Sequence, residues 1–255
     1  MVNNGTSARL GRSAPRNAAP SRRERMRDAT LREIKQIARH HLSEQGAGGV
    51  SLRAIAREMG MTAPGLYRYF TSLDDLMVSL RVDFYDELAT AVRDADSSLP
   101  SEDVDGRLHA SLRAFRTWAL ANRAEFGLLF GPAGPVRTPP PAGPALAAAQ
   151  RFASTFFALF ERLLAERRFA PPNDAETSEE LRRQLEAFAE RTGYPAENVS
   201  SGALRVMMSC WVRVYGLVCM EVFQHLSFVM DDMESLFESE LSDILRDLGV
   251  TYRAP

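Results

Sequence analysis

Residues with the chemistry to contact nucleic acid cluster between Ser51 and Ser72. Arginine, threonine and tyrosine recur there at Arg53, at Thr62 and in the run Tyr67-Arg68-Tyr69. Hydroxyl and guanidinium groups donate hydrogen bonds to phosphate oxygens, and arginine can also reach a guanine edge in the major groove. These groups can act together only if the surrounding elements present them on one surface.

The predicted frame for these side chains is a pair of short helices. Ser51 is expected to cap the first helix, which Gly60 ends, and Gly60 with Met61 forms a tight turn. Thr62 is expected to cap the second helix, with Pro64 in its first turn, where a missing N–H costs little. This is the helix-turn-helix plan, in which the second helix enters the major groove by its N-terminus.

Catalytic and metal-binding arrangements are not predicted. His40 and His41 are adjacent and cannot share a helical face, while His109 and His225 stand alone. The sequence has no Gly-rich phosphate loop, nucleotide fingerprint or supported Ser-His-Asp arrangement. We therefore expect no cofactor and no metal, and an enzyme with a hidden active site is the least favoured alternative.

Charge divides the chain unequally. The first 80 residues carry thirteen basic and seven acidic side chains, a balance of +6, whereas the remainder has a balance of −8. A basic first third on an acidic body suggests a module that faces nucleic acid joined to one that does not. Ordinary variation among solvated surfaces is the alternative.

Length and composition limit the class of protein to which the chain can belong. A chain of 255 residues with 45% hydrophobic and 25% charged residues is typical of a soluble globular protein. Cys210 and Cys219 lie nine positions apart in one predicted helix, too far for a disulfide. The most apolar stretch, 203–223, contains three charged residues, so we expect no membrane span and a cytoplasmic protein.

The fold class is predicted to be all-α, with an N-terminal three-helix helix-turn-helix domain on a larger helical domain. Helical periodicity starts at Met26, and no stretch shows strand alternation. The expected divisions are a disordered basic arm over 1–24, a DNA-binding domain over 25–72 and a larger helical domain over 73–255, to which the family resemblance given next assigns effector binding and dimerisation. Further helices are predicted over Ser72–Asp94, Asp103–Asn122, Ala145–Arg168, Ser178–Thr192, Asn198–Phe228 and Asp231–Leu248, with a proline-rich loop over Gly131–Pro144.

The segment from Arg27 to Leu76 resembles the TetR family of bacterial transcription regulators. The resemblance rests on Ser51-Leu52-Arg53-Ala54-Ile55-Ala56, then Gly60-Met61-Thr62, then Leu66-Tyr67-Arg68-Tyr69-Phe70. A second similarity, Trp211-Val212-Arg213-Val214-Tyr215-Gly216, resembles the Trp-His-Gly signature of one subgroup, with Tyr215 where His is usual.

The resemblance implies DNA-contacting roles for particular residues. Tyr67 and Arg68 would reach bases or backbone and Tyr69 a phosphate, although core packing is the alternative for both tyrosines. Many family members place a lysine after this point; here Thr71 and Ser72 would hold that phosphate instead. The full predicted DNA-binding set is Ser51, Arg53, Thr62, Ala63, Pro64, Gly65, Tyr67, Arg68, Tyr69 and Ser72.

The resemblance also implies a homodimer and a small hydrophobic or aromatic effector. Arg205, Arg213 and Tyr215 would supply polar anchors for it, although any one aromatic residue could simply be core. The predicted ligand-binding set is Phe84, Phe115, Trp118, Phe126, Phe156, Phe160, Met207, Met208, Trp211 and Tyr215. The predicted dimer set is Phe223, Leu226, Met233, Leu236, Phe237, Leu241, Ile244 and Leu245, unless these stripes close the chain's own core.

The preferred interpretation is a repressor that its effector releases from a palindromic operator. A DNA-binding regulator without an effector, whose large domain only dimerises or recruits a partner, is the alternative. The segment Arg22–Arg27 is either a DNA-following arm or a solubilising tail.

Overall fold

A computed structural model describes residues 21–131, 143–194 and 199–255, and its long regular segments are all helical. This confirms the all-α prediction. The helices are α1 (Arg22–Gln45), α2 (Leu52–Glu58), α3 (Ala63–Leu66), α4 (Leu73–Ser97), α5 (Val104–Ala121), α6 (Arg123–Phe130), α7 (Gly143–Ala165), α8 (Glu179–Thr192), α9 (Ser201–Val222) and α10 (Glu234–Asp247).

The first helix starts earlier than predicted. Ser21 caps α1 by accepting a hydrogen bond from the Glu24 N–H, and the Glu24 carboxylate accepts one from the Ser21 N–H. This reciprocal capping box makes residues 22–24 helical, so the predicted disorder is wrong for 21–24. The rest of the predicted arm, residues 1–20, lies outside the described residues.

Other boundaries also shift. Helix α7 begins at Gly143, so Pro144 belongs to its first turn rather than to the predicted loop, most of which lies outside the described residues. Helix α9 ends at Val222 instead of Phe228, and Gln224 just beyond it has a positive φ of 57° that no helix continues through.

Helices α1, α2 and α3 form an N-terminal head around a small apolar core. Ile34, Ala38 and Leu42 recur along one face of α1, and Ile55 and Leu66 meet them from α2 and α3; all are buried. The spacing of three and four residues is what places them on one face. This core holds α2 and α3 in a fixed mutual orientation.

Helix α4 joins the head to the body. Ser72 caps it by accepting from the Asp75 N–H at 3.1 Å, as the sequence predicts for an N-cap. Its buried positions continue from Leu76 and Leu80 through Phe84 and Leu88 to Val92, and it packs chiefly against α5 and α7. One continuous buried stripe therefore runs from the head into the body.

Helix α10 packs into the body of its own chain. Arg116 of α5 lies 2.6 Å from Glu221 of α9 and 2.7 Å from Glu234 of α10, and its guanidinium sits 5.0 Å from the ring centroid of Phe237. The predicted dimer stripe is thereby turned inward. Its buried members are Met233, Phe237, Leu241, Ile244 and Leu245.

The interface prediction is therefore wrong for those five residues, because the chain's own core covers them. Leu236, Phe223 and Leu226, the remaining members of the predicted set, are half-buried.

The chain's last residues close over the start of α5. His109 Nδ1–H donates to the Asp105 carbonyl at 2.6 Å, so its Nε2 is free to accept from the Arg253 N–H at 3.0 Å. Thr251 N–H donates to the Asp105 carboxylate, and Tyr252 O–H donates to Glu238 at 2.8 Å. This C-terminal clasp (residues 249–253) is held by a neutral, buried histidine.

Candidate functional site

The turn between α2 and α3 is built as the sequence predicts. Gly60 adopts φ +65°, and the Met61 N–H donates to the Ala56 carbonyl at 2.8 Å. Thr62 caps α3 by accepting from the Gly65 N–H. Ser51 occupies the N-cap position of α2, but its side chain makes no capping hydrogen bond, so that part of the prediction is wrong.

The side chains predicted to contact DNA fall into exposed and partly covered groups. Tyr67 is 45% exposed although it is a large aromatic residue. The other exposed members are Arg53, Thr62, Pro64, Arg68 and Ser72. The half-buried members are Ser51, Ala63 and Tyr69.

Gly65 packs within the head. It is buried, and a Cβ added there would come 3.2 Å from the Thr62 hydroxyl oxygen and 3.6 Å from the Met61 methyl carbon. Its predicted contact with DNA stays a prediction and would have to be made by the backbone. The missing side chain instead lets the first turn of α3 pack against Thr62 and Met61.

The predicted phosphate site at the start of α4 already has a partner. The N–H and hydroxyl of Thr71 both donate to the Asp75 carboxylate, at 3.0 and 3.3 Å. Both donors of Thr71 are therefore already engaged, and the negative charge of Asp75 would repel a phosphate at this position. Ser72 only accepts in its cap, so its hydroxyl hydrogen stays free to donate.

Polar contacts join the head to the body across the junction of α1 with α4 and α6. Arg39 Nε lies 2.5 Å from Glu125 Oε1, and its Nη1 lies 2.9 Å from Glu87 Oε1. The same guanidinium sits 5.0 Å from the ring centroid of Phe84 on α4. Lys35 adds a contact to Asp83 at 2.8 Å. These contacts link α1 of the head to both α4 and α6 of the body.

The body contains a cavity of about 420 Å³. Its walls come from α4 to α10 and are almost entirely apolar. The lining residues are Tyr85, Leu108, Leu112, Phe130, Leu146, Ala149, Gln150, Phe152, Ala153, Phe156, Phe157, Phe160, Leu163, Phe188, Thr192, Met207, Met208, Cys210, Trp211, Val214, Ile244 and Leu248.

Half of the predicted ligand set lines this cavity, namely Phe156, Phe160, Met207, Met208 and Trp211. The other half does not, because those side chains pack elsewhere. Phe84 lies beneath Arg39, and Tyr215 donates its O–H to the Phe130 carbonyl at 2.7 Å. Phe115, Trp118 and Phe126 are buried in the core beside the cavity.

The arginines predicted as ligand anchors point away from the cavity. Arg213 pairs with Glu240 and Asp247, and Arg205 donates to the Glu176 carbonyl. Sequence reasoning also missed Tyr85. Ala149 and Ala153, small residues among the phenylalanines of α7, were the available signal for a void.

The polar groups of the cavity wall are neutral. Burial raises the pKa of Tyr85 to about 12 and that of the Cys210 thiol to about 11. Asp, Glu, Lys, Arg and His are absent from the described lining. A charged ligand would therefore lose its hydration without gaining a counter-charge, which favours a neutral ligand.

An apolar surface remains on the outer side of α9. Val212 is 57% exposed and Met220 is 40% exposed, and a Cβ added at Gly216 between them meets nothing within 4 Å. Phe228 and Val229, just beyond the helix, are 83% and 60% exposed. Val212, Gly216, Met220, Phe228 and Val229 are called the α9 face below.

Helix α9 is also long and apolar enough to cross a membrane, although this is weak evidence on its own. Its charged side chains have partners within the chain: Arg213 pairs with α10, and Glu221 pairs with Arg116.

The chain is similar to known regulators over most of its length. Residues 34–80 match the family described as bacterial regulatory proteins, tetR family, and residues 108–244 match the tetracyclin repressor-like C-terminal domain. The HTH-type transcriptional regulator Rv1816 of Mycobacterium tuberculosis is 30% identical over 236 residues, covering 91% of this chain and 92% of that protein. Regulator Mb1846 of Mycobacterium bovis matches equally.

Solved structures show the same fold. The regulatory protein SCO4313 superimposes with a TM-score of 0.68 at 28% identity, covering 89% of this chain and 100% of that one. A bacterial regulatory protein of the tetR family from Rhodococcus RHA1 gives 0.58 at 15% identity, covering 87% and 98%.

Proposed function

The chain belongs to the TetR family of DNA-binding transcriptional regulators, and from this premise we propose that it is a repressor released from its operator by a small hydrophobic ligand. The family, and relatives named as HTH-type transcriptional regulators, make it a regulator rather than an enzyme. The observation that carries the ligand response is the cavity of about 420 Å³ in the body. Tyr85 in its wall directly follows Phe84, on which Arg39 of the head rests.

DNA binding is assigned to the head, residues 25–72, and to its exposed side chains. Tyr67 and Arg68 reach base edges or backbone, while Arg53 and Thr62 contact phosphates. Pro64 at the front of α3 has no polar arm, so its base contacts are apolar, for instance with a thymine methyl group. A protein of this kind works in the cytoplasm, where its operator lies.

Effector binding and dimerisation are assigned to residues 73–255. The α9 face supports a homodimer, because apolar side chains exposed to this degree along one helix and the turn after it are typical of an interaction surface. Two copies of the head would then meet two half-sites about 34–36 Å apart, or at a related spacing, on a palindromic operator. Assignment to the Trp-His-Gly subgroup rests only on Trp211, Tyr215 and Gly216.

The ligand would act by binding the DNA-incompetent arrangement more tightly than the competent one. Filling the cavity displaces α4 and α6, which contribute Tyr85 and Phe130 to its wall. Arg39, held to both helices, carries that displacement to α1. A coupling of ~1–3 kcal/mol, or about 5–150-fold in operator affinity, is typical of such regulation.

A thermal-shift screen followed by DNA release tests this proposal. A small apolar compound that binds the cavity raises the melting temperature. The same compound should lower the affinity for operator DNA. If compounds that raise the melting temperature leave operator affinity unchanged, the protein is a regulator without an effector, whose large domain only dimerises or recruits a partner.

A further inference from the structure

The hydroxyl group of Tyr85 is left without a partner in an otherwise apolar place. The side chain is only 5% exposed, yet among residues 21–131, 143–194 and 199–255 its oxygen makes no hydrogen bond. Its ring packs edge-on to Phe130, with centroids 5.8 Å apart, and lies 6.5 Å from Phe152. Both neighbours line the cavity together with Tyr85.

The half-buried Tyr215 and the buried Tyr194 differ from Tyr85. Tyr215 donates to the Phe130 carbonyl, and the hydroxyl of Tyr194 is completely enclosed and lies outside the cavity wall. The Tyr85 oxygen is not enclosed in this way. A buried hydroxyl that forgoes its hydrogen bonds costs free energy, which a ligand group can recover.

Two other polar groups of the wall are already engaged. The Gln150 amide donates to the Arg191 carbonyl at 2.9 Å, and the Thr192 hydroxyl donates to the Phe188 carbonyl at 2.9 Å. Among the described lining residues, the indole N–H of Trp211 and the thiol of Cys210 are further donors without a protein partner, and the Gln150 side-chain oxygen is an unused acceptor. The hydroxyl of Tyr85 is thus one of the few free polar groups that the wall offers a ligand.

Tyr85 keeps its proton at neutral pH. Burial raises its pKa to about 12, and the nearby Arg81 only partly opposes that rise. The hydroxyl therefore has one hydrogen to donate, for which an oxygen acceptor is the best complement. With no ionisable acid or base in the described wall, the molecule that carries the acceptor is neutral.

We propose that the effector is a neutral, largely apolar carbonyl compound whose oxygen accepts a hydrogen bond from the Tyr85 hydroxyl. This inference rests on the proposed ligand-responsive function and names its ligand class. Tyr85 is the specificity-determining residue, because the apolar walls accept any hydrophobic molecule of suitable size. Tyr85 directly follows Phe84, so the bond is made one residue along α4 from the ring on which Arg39 rests.

Benzophenone and diphenylmethane provide a matched pair of probes, because they differ only in a carbonyl against a methylene group. Isothermal titration calorimetry should show that the parent protein binds benzophenone about two- to tenfold more tightly, the range of one net hydrogen bond. Tyr85→Phe keeps the ring packing and should bind both probes equally. Tyr194→Phe, which removes a buried hydroxyl outside the cavity, should retain the preference for benzophenone.

The outcomes separate this inference from the proposed function. The hydrogen bond from Tyr85 is overturned if the parent protein binds the two probes equally, or if folded Tyr85→Phe still prefers benzophenone. In either case the cavity remains a ligand site. Failure of the parent protein to bind either probe up to its solubility limit overturns the proposed ligand class, while the thermal-shift screen decides separately whether the cavity binds any effector. Melting curves of both variants verify that they are folded.

Discussion

Arg39 Nε of the first helix lies 2.5 Å from Glu125 Oε1 of the sixth, across the junction between head and body. Glu125 is buried, and the other end of the guanidinium holds Glu87 on α4. One side chain thus ties the DNA-binding head to two helices that contribute to the cavity wall. It connects the two functions proposed for the chain.

Replacing Arg39 with Ala should destabilise the protein by about 1–3 kcal/mol, because Glu125 would remain buried without its partner. Denaturant unfolding measures the change. Arg151→Ala is the matched control, since Arg151 pairs with Asp86 on the surface and such pairs contribute about 0–1 kcal/mol. If both variants lose the same free energy of unfolding, the contact between Arg39 and Glu125 contributes no more than a surface ion pair.

Filling the cavity should abolish the ligand response without weakening operator binding. Met208 lines the cavity, and Met208→Trp places a larger ring in that space. Leu181→Trp, on the exposed surface of α8, is the control and should respond normally. The comparison is made by operator anisotropy with and without a compound from the thermal-shift screen. A full response in folded Met208→Trp would mean that ligands bind elsewhere.

Charged substitutions on the exposed α9 face and at the buried apolar side chains of α10 should have different effects on the protein. Val212→Glu combined with Met220→Glu should give a folded monomer, because both side chains are exposed in one chain. Leu241→Glu should instead unfold the protein, since a buried carboxylate without a partner costs more than about 4 kcal/mol. Light scattering and circular dichroism distinguish the two results. A dimeric double variant would remove the α9 face from the interface.

The C-terminal clasp should make stability depend on pH. Burial lowers the pKa of His109 from its ordinary value of 6.5, and the guanidinium groups of Arg113 and Arg253 act in the same direction. The unfolded chain therefore binds more protons, so this contribution is complete above about pH 6.5 and is lost as the pH falls through the lower folded value. Protonation places a hydrogen on Nε2, which can then no longer accept from Arg253.

Melting temperatures between pH 5 and 8 test the clasp. His109→Gln should flatten the profile below about pH 6.5, since its amide oxygen can accept from Arg253 without titrating. His225→Gln, at an exposed position, should leave the profile as it is. An unchanged profile in the His109 variant would assign the pH dependence to other groups.

Local signals predicted the head well and the body only in outline. Gly60 and Thr62 act through neighbours a few positions away, so their roles can be read from the sequence alone. The capping box of Ser21 and Glu24 was equally local but lay in a segment whose composition suggested disorder.

The body depends on contacts between distant residues, and these limit the prediction. The apolar stripe of α10 indicated a covered face but not whether a second chain or α5 covers it. Tyr85 and Phe84 are adjacent, yet only the packed structure separates the one facing the cavity from the one beneath Arg39. A hydrophobic pattern predicts which residues are buried, but a cavity depends on how their side chains pack in three dimensions.

Selection from a pool of random DNA duplexes tests DNA recognition by the head most directly. The parent protein should enrich an inverted repeat, and Arg93→Ala, at the body end of α4, should enrich the same sequence. The double variant Tyr67→Ala with Arg68→Ala should remain folded and enrich none, because each lost contact costs about 1–3 kcal/mol of DNA affinity. No enrichment by the parent protein, or the same repeat enriched by the double variant, would contradict operator recognition through these residues.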